Sequence, residues 1–127
     1  MNKIFGTAIK CMDGRTHLPV IEYLKSKYNI DYVDLITEPG PNKILAEGAD
    51  SARIKSILEK VSISIEKHGS KVVAACGHFD CAGNPLNEQD QKMHLLKSVE
   101  RIKSWNLPLD EVICLWIDEN LKVCQVI

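Results

Sequence analysis

Two cysteines and a histidine, placed at the ends of two apolar runs, are the residues of this chain best suited to hold a metal ion. Cys11 ends the run FGTAIKC, and His78 and Cys81 follow the run VVAACG. Two thiolates and one imidazole are a ligand set that Zn²⁺ accepts, and three protein ligands leave a fourth position open, as in catalytic zinc sites. The prediction of a zinc site at Cys11, His78 and Cys81 therefore requires a fold that brings distant segments together.

A charged pair close to the first cysteine extends this pattern. Asp13 and Arg15 follow Cys11 within the segment CMDGR. A guanidinium can hold a carboxylate in a bidentate pair, which orients the carboxylate and keeps it ionised. Asp13 could then accept a hydrogen bond from a metal-bound water, or it could occupy the open coordination position itself. We predict Asp13 and Arg15 as the catalytic residues.

Other chemistries of cysteine fit the spacing less well. A phosphatase-type loop needs five residues between its cysteine and its arginine, whereas three separate Cys11 from Arg15. A thioredoxin-type pair needs Cys-x-x-Cys, and four residues separate Cys76 from Cys81. The sequence contains no glycine-rich nucleotide-binding motif. A thiol redox protein that uses Cys11 and Cys81 remains an alternative hypothesis.

The elements that must position these residues follow from the hydrophobic periodicity. Five apolar runs predict strands, at 3–12, 32–37, 71–77, 111–117 and 121–127. Three periodic segments predict helices, at 18–29, 50–68 and 87–106, and Asn87 is the predicted cap of the last. The segment 38–42, EPGPN, predicts a loop without regular structure, because two prolines and a glycine interrupt it.

This order of elements predicts an α/β fold with a mostly parallel central sheet, helices on both faces and a final antiparallel strand. The usual doubly wound orders place the first strand beside the third. Ligands bind such sheets beyond the carboxyl ends of the strands. Cys11 would then emerge at the same edge as His78 and Cys81. We expect residues 1–127 to form one domain.

Composition and charge restrict the partners and the compartment. A net charge of −1 with scattered basic residues predicts binding neither to nucleic acid nor to an anionic membrane surface. No segment is long and apolar enough to predict a membrane span. An odd number of cysteines, five, argues against a disulfide framework, and the first residues lack the pattern of a signal peptide. We therefore expect a cytoplasmic protein.

The segments Cys11-Met-Asp-Gly-Arg15 and His78-Phe-Asp-Cys81 resemble the paired Cys-x-Asp-x-Arg and His-x-x-Cys motifs of the β-class carbonic anhydrases. The resemblance implies a zinc ion held by Cys11, His78 and Cys81, and an Asp13–Arg15 pair that controls the fourth coordination position. It implies a lyase that hydrates CO₂ reversibly to bicarbonate, and an assembly as a homodimer or a multiple of dimers.

The sequence departs from the family pattern where the substrate pocket is expected. Segment 37–40 reads TEPG where the family usually carries Arg-Asn-Ala-Gly, and Cys81 is followed by Ala-Gly-Asn. These departures leave two further hypotheses: a non-catalytic zinc-binding homologue, and a hydrolase of a related small electrophile such as COS or CS₂. We interpret Cys76 as a packing residue, His17 as a solvated loop histidine and Asp80 as a turn or outer-shell acceptor.

Overall fold

The computed structural model describes residues 2–127, in which strands and helices largely alternate; Met1, the first residue of the predicted domain, lies outside the described residues. A 3₁₀ turn, Gly14–Thr16, joins the first strand to the first helix. The strands and α-helices in this part of the chain are β1 (Phe5–Cys11), α1 (His17–Tyr28), β2 (Tyr32–Glu38), α2 (Pro41–Glu47), α3 (Ser51–His68), β3 (Val72–His78), α4 (Glu88–Ser104), β4 (Glu111–Ile117) and β5 (Val123–Gln125).

One sheet contains the five strands in the order β2-β1-β3-β4-β5. Strand β1 pairs in parallel with both β2 and β3, and β3 pairs in parallel with β4. Strand β5 is antiparallel to β4, with Trp116 opposite Cys124. The α/β fold, the antiparallel final strand and the placement of β1 beside β3 are therefore confirmed.

Two hydrophobic cores lie on the two faces of the sheet. Helix α1 contributes Val20 and Leu24 to one core, together with Ala8 of β1. Helices α2, α3 and α4 cover the other face, where Ile9 of β1 contributes to the core. Successive side chains of a strand point to opposite faces, so β1 and β3 read as continuous apolar runs because both of their faces are buried.

The segment after β2 differs from the sequence prediction. Strand β2 ends at Glu38 and helix α2 begins at Pro41, so the prediction that 38–42 lacks regular structure is wrong for its first residue and its last two. Proline suits the first helical position, because its nitrogen needs no hydrogen-bond acceptor there. Gly40 precedes it with φ 59°, a left-handed conformation that glycine adopts without steric cost. The loop is therefore shorter than predicted, and it turns sharply at Gly40.

Element ends agree with the sequence to within a few residues. The side chain of Asn87 caps α4, because its Oδ1 accepts a hydrogen bond of 2.8 Å from the backbone amide of Asp90. Strand β5 contains only Val123–Gln125, since Leu121 has φ 61° and belongs to the preceding turn. Between residues 2 and 127, no helix combines the length and the apolar composition that crossing a membrane requires.

Candidate metal centre

The carboxyl ends of β1 and β3 bring the three predicted metal ligands together. Cys11 is the last residue of β1, His78 is the last residue of β3, and Cys81 lies in the turn that follows. One ligand atom from each residue lies within 4.8 Å of the others, and the Sγ atoms of Cys11 and Cys81 are 3.8 Å apart. All three residues are buried. The arrangement juxtaposes two sulfur ligands and one nitrogen ligand.

The imidazole of His78 is buried without a hydrogen-bond partner. Neither Nδ1 nor Nε2 has a partner among the described residues, and only 2% of the residue is exposed to solvent. Leaving a buried polar group unsatisfied costs about 1–3 kcal/mol. A metal ligand is a common role of a neutral imidazole, and coordination would satisfy one of these nitrogens. The chemistry of the donor set and the unsatisfied imidazole together fit a zinc ion.

The two cysteines next to this imidazole differ in the direction in which their pKa values are shifted. Cys81 donates a hydrogen bond to Cys11, and this bond holds the pKa of Cys11 well below its usual range despite burial. His78 is close enough to contribute to the lower pKa, although its ring nitrogens lack hydrogen-bond geometry. The same sulfur–sulfur bond, followed by burial, raises the pKa of Cys81. Cys11 is therefore the stronger thiolate.

Asp13 and Arg15 form a bidentate ion pair beside the three ligand residues. Arg15 Nη2 is 2.6 Å from Asp13 Oδ2, and Arg15 Nε is 3.0 Å from Asp13 Oδ1. The backbone amide of Arg15 also donates to Asp13 Oδ1, at 3.0 Å. The hydrogen bonds from the guanidinium hold the pKa of Asp13 well below its usual range. Asp13 is thus an oriented and ionised acceptor at neutral pH.

Arg15 also connects the two loops that contain the motifs. Its Nη2 lies 3.5 Å from Asp80 Oδ2, and its guanidinium carbon lies 4.5 Å from the centre of the Phe79 ring. Asp80 has φ 50°, and its side chain is 79% exposed. A guanidinium over an aromatic face gains a cation–π attraction. The structure thus places Asp80 beside the same guanidinium nitrogen that donates to Asp13.

A buried polar network lies behind His78, and the sequence analysis did not identify it. Gln91 Nε2 donates to the carbonyl oxygen of His78 at 2.9 Å. Asn42 Nδ2 donates to Gln91 Oε1 at 3.3 Å, and Asn84 Nδ2 donates to Asn42 Oδ1 at 3.1 Å. Its members come from α2, α4 and the loop after β3, so the network fixes the backbone at the end of β3. The signal in the sequence was a glutamine on the inward face of a helix.

Lys10 is the other residue that the sequence analysis missed. Its side chain is fully buried, and its Nζ lies 2.7 Å from Nδ1 of His17. His17 is thus the partner of a buried lysine at the start of α1 and not a solvated loop histidine. The signal was a lysine between two apolar residues at the end of a buried strand. Cys76 packs in the core below α1, where burial raises its pKa to about 12.

Comparison with known proteins agrees with this geometry. The model of the family described as "Putative carbonic anhydrase" matches residues 1–127. A search of the curated proteins finds no match. The family match covers both motifs and all five strands, including the end of β1 at Cys11 and the turn after β3 that contains Cys81. Because it extends over the whole chain, this protein belongs to that carbonic anhydrase family.

Proposed function

We propose that this protein is a zinc-dependent lyase that catalyses the reversible hydration of CO₂ to bicarbonate. The observation that carries the proposal is that the ligand atoms of Cys11, His78 and Cys81 lie within 4.8 Å of one another. The match of the whole chain to a carbonic anhydrase family supports it. The buried imidazole without a hydrogen-bond partner supports a metal at this position. The charged pair of Asp13 and Arg15 supports chemistry beside that metal.

The three ligand residues, Asp13 and Arg15 have separate roles in the proposed mechanism. Zinc, held by Cys11, His78 and Cys81, would supply a Lewis acid that brings the pKa of a bound water from about 15.7 to about 7. Asp13 has no proton to donate while its pKa is held low, so it can only accept. Arg15 fixes both carboxylate oxygens, which leaves Asp13 few orientations. Asp13 therefore aligns a donor group next to the metal and selects against groups that cannot donate.

A non-catalytic zinc-binding homologue is the second candidate. The burial of all three ligand residues supports it, because Cys11, His78 and Cys81 are 5%, 2% and 3% exposed. A substrate must reach the open coordination position, whereas a structural zinc site is closed. A hydrolase of COS or CS₂ is a further variant of the leading proposal. Segment 37–40, which departs from the usual family sequence, supports a changed substrate.

Metal analysis followed by a rate measurement tests these proposals. Protein purified without a chelator should contain about one zinc per chain. Stopped-flow measurement should then show CO₂ hydration, with COS and CS₂ as alternative substrates. Asp13→Ala should abolish turnover and retain the zinc, since Asp13 is not one of the three proposed ligands. Zinc without turnover on any substrate would favour the non-catalytic homologue.

A thiol redox protein would give a different result in the same preparation. It would contain no zinc, and alkylation followed as a function of pH would show the low pKa of the Cys11 thiol. An added oxidant that accepts two electrons would join Cys11 to Cys81 in a disulfide, with release of the two thiol protons, because their sulfurs are 3.8 Å apart. Zinc content and thiol reactivity therefore separate this hypothesis from the two metal-binding proposals.

We also propose that the chain assembles as a homodimer or a multiple of dimers, in the cytoplasm. The exposed apolar side chains of Leu18 and Leu121 support an interface, since they are 68% and 39% exposed. They line a depression of about 580 Å³ between α1 and β5. Five free cysteines support a reducing compartment.

A further inference from the structure

A lysine without solvent contact lies beneath the turn that contains Asp13 and Arg15. Lys10 is the penultimate residue of β1, and its side chain is 0% exposed. Successive side chains of a strand point to opposite faces, so Lys10 extends away from the face to which Cys11 belongs. A buried ammonium is tolerated only where its donors find acceptors. The position of those acceptors indicates what the lysine does.

Each of the three donors of the Lys10 ammonium has one acceptor. Nζ lies 2.8 Å from the carbonyl oxygen of Cys11, 2.6 Å from Oγ1 of Thr16 and 2.7 Å from Nδ1 of His17. One acceptor precedes Asp13 in the chain and two follow Arg15. Lys10 therefore joins the two ends of the turn from below.

The hydroxyl of Thr16 extends this connection to Asp13 itself. While its oxygen accepts from Lys10, its proton is donated to the carbonyl oxygen of Asp13 at 2.8 Å. The backbone amide of Thr16 donates to the same carbonyl at 3.1 Å. Two hydrogen bonds thus hold the Asp13 backbone, and one comes from a hydroxyl that Lys10 orients.

The ion pair above this turn is partly exposed, so the orientation that Arg15 gives to Asp13 also depends on the backbone that carries both residues. The side chains of Arg15 and Asp13 are 44% and 22% exposed. Exposed ion pairs contribute little free energy, because water and salt screen them and both side chains lose freedom on pairing. A fixed carboxylate direction therefore requires a fixed backbone beneath the pair.

We infer that Lys10 is a positioning residue, which acts through Thr16 to fix the Asp13 carboxylate beside the metal centre. The inference rests on the proposed function, in which Asp13 is the acceptor next to zinc. Removal of the ammonium should leave the three ligand residues in place but allow the Asp13–Arg15 turn to move. Displacing a positioned group by a fraction of an ångström to an ångström reduces turnover by about tenfold to a hundredfold.

Three substitutions and one matched control test this inference. Lys10→Met removes the ammonium and keeps an unbranched stem, and Thr16→Val removes the hydroxyl from a side chain of the same shape. Thr16→Ser retains that hydroxyl and should therefore preserve the pairing of Arg15 with Asp13 that Thr16→Val weakens. Thr7→Val is the control, because Thr7 is also a fully buried polar residue of β1, and its hydroxyl bonds to Ser64 and Ser70 at the other end of the sheet.

The main readout does not require turnover. Hydrogen exchange at the Arg15 Nε–H, measured by NMR on ¹⁵N-labelled protein as purified, reports the pairing with Asp13 directly. We expect exchange to accelerate about tenfold or more in Lys10→Met and Thr16→Val, and to remain near the wild-type rate in Thr7→Val. Zinc per chain should not change. In active protein, kcat should fall about tenfold in the same two variants while KM changes less than about twofold.

The outcomes decide the inference independently of the proposed function. If Arg15 Nε–H stays protected in both Lys10→Met and Thr16→Val, the inference is wrong. Equal acceleration in Thr7→Val would also overturn it, because the effect would then follow from general destabilisation. Should Lys10→Met fail to fold, the comparison of Thr16→Val with Thr16→Ser decides. Protein that loses protection as expected but never hydrates CO₂ would refute the proposed function and retain the positioning role.

Discussion

The five cysteines differ in what surrounds them, and their surroundings separate candidate ligands from packing residues. Cys11 and Cys81 lie 3.8 Å apart, beside an imidazole without a hydrogen-bond partner. Cys76 and Cys114 are packed among apolar side chains of the two cores, and Cys124 is exposed. Only the first two cysteines therefore combine burial with a neighbouring ligand-type side chain.

Removing one of these thiols should remove the metal. Cys81→Ala is expected to reduce the zinc content from about one per chain to near zero, because two remaining ligands do not hold zinc in a tetrahedral site. Cys114→Ala removes the same atom from a buried cysteine that pairs with Ala75 within the sheet and is not part of the three-residue cluster, and should retain the zinc. Elemental analysis of both variants measures the difference. Full zinc occupancy in Cys81→Ala would show that Cys81 is not a ligand.

At the scale of single residues, the sequence predicted that the candidate site residues lie close together, but not which residues hold them in position. Cys11 and His78 could be placed together because each ends a strand that the hydrophobic pattern locates. The position of Lys10 between two apolar residues could indicate its burial but not its role, because its acceptors on Thr16 and His17 depend on the direction of a 3₁₀ turn. A lysine in a strand is also normally expected at the surface. Local periodicity does not contain that three-dimensional information.

At the scale of elements, two loops interlock over the ends of the strands. A Cβ atom at Gly83 would clash with the backbone carbon of Pro39, and one at Gly40 would lie 2.6 Å from the backbone carbon of Gly83. The backbone amide of Gly40 adds to the effect of Cys81 in lowering the pKa of Cys11. The backbone amide of Gly83 acts in the same direction on Cys81, although the bond to Cys11 and burial outweigh it and raise the pKa of Cys81. The contact therefore holds hydrogen-bond donors next to both sulfurs.

Adding one methyl group at this contact should loosen the metal centre. Gly83→Ala is expected to lower the free energy of unfolding by about 1–3 kcal/mol, because the Pro39 backbone must move. It should also weaken zinc binding, since the amides near Cys11 and Cys81 move with the loops. Urea denaturation measures the first effect, and competition with a zinc chelator measures the second.

Gly14→Ala provides the matched control, because a Cβ at Gly14 meets nothing within 4 Å. It should change the free energy of unfolding by less than about 0.5 kcal/mol. If Gly83→Ala behaved like Gly14→Ala in both measurements, the interlocked loops would not support the site.

Elements with a clear period were the ones predicted from the sequence. Helix α3 shows its apolar face over Ser51–His68, long enough for a 3.6-residue period to stand out. Helix α2 has seven residues and begins at a proline, so no period is visible, and the prolines of segment 38–42 dominate the pattern. The polar network through Asn42 depends on that helix, which is why it was also missed.

At the scale of the whole molecule, an apolar surface adjoins the carboxyl ends of the strands, where the candidate site lies. Leu18, Pro19 and Tyr23 of α1 line one side of the depression between α1 and β5, and Leu121 and Val123 line the other. Gly14 and Arg15 also line it, so the surface is continuous with the Asp13–Arg15 turn. Strand β5 forms one edge of the sheet, where unpaired backbone groups favour further association.

The proposed dimer should form through this surface. Wild-type protein should have about twice the chain mass of 14.2 kDa in light scattering after size-exclusion chromatography. Leu18→Glu should give the mass of one chain, because it places a charge in an apolar contact where desolvation is costly. Ile63→Glu is the control, since Ile63 is 55% exposed on α3, on the other face of the sheet, and should remain dimeric. A monomeric wild type would refute the dimer, whereas a dimeric Leu18→Glu would show that the interface does not use the depression between α1 and β5.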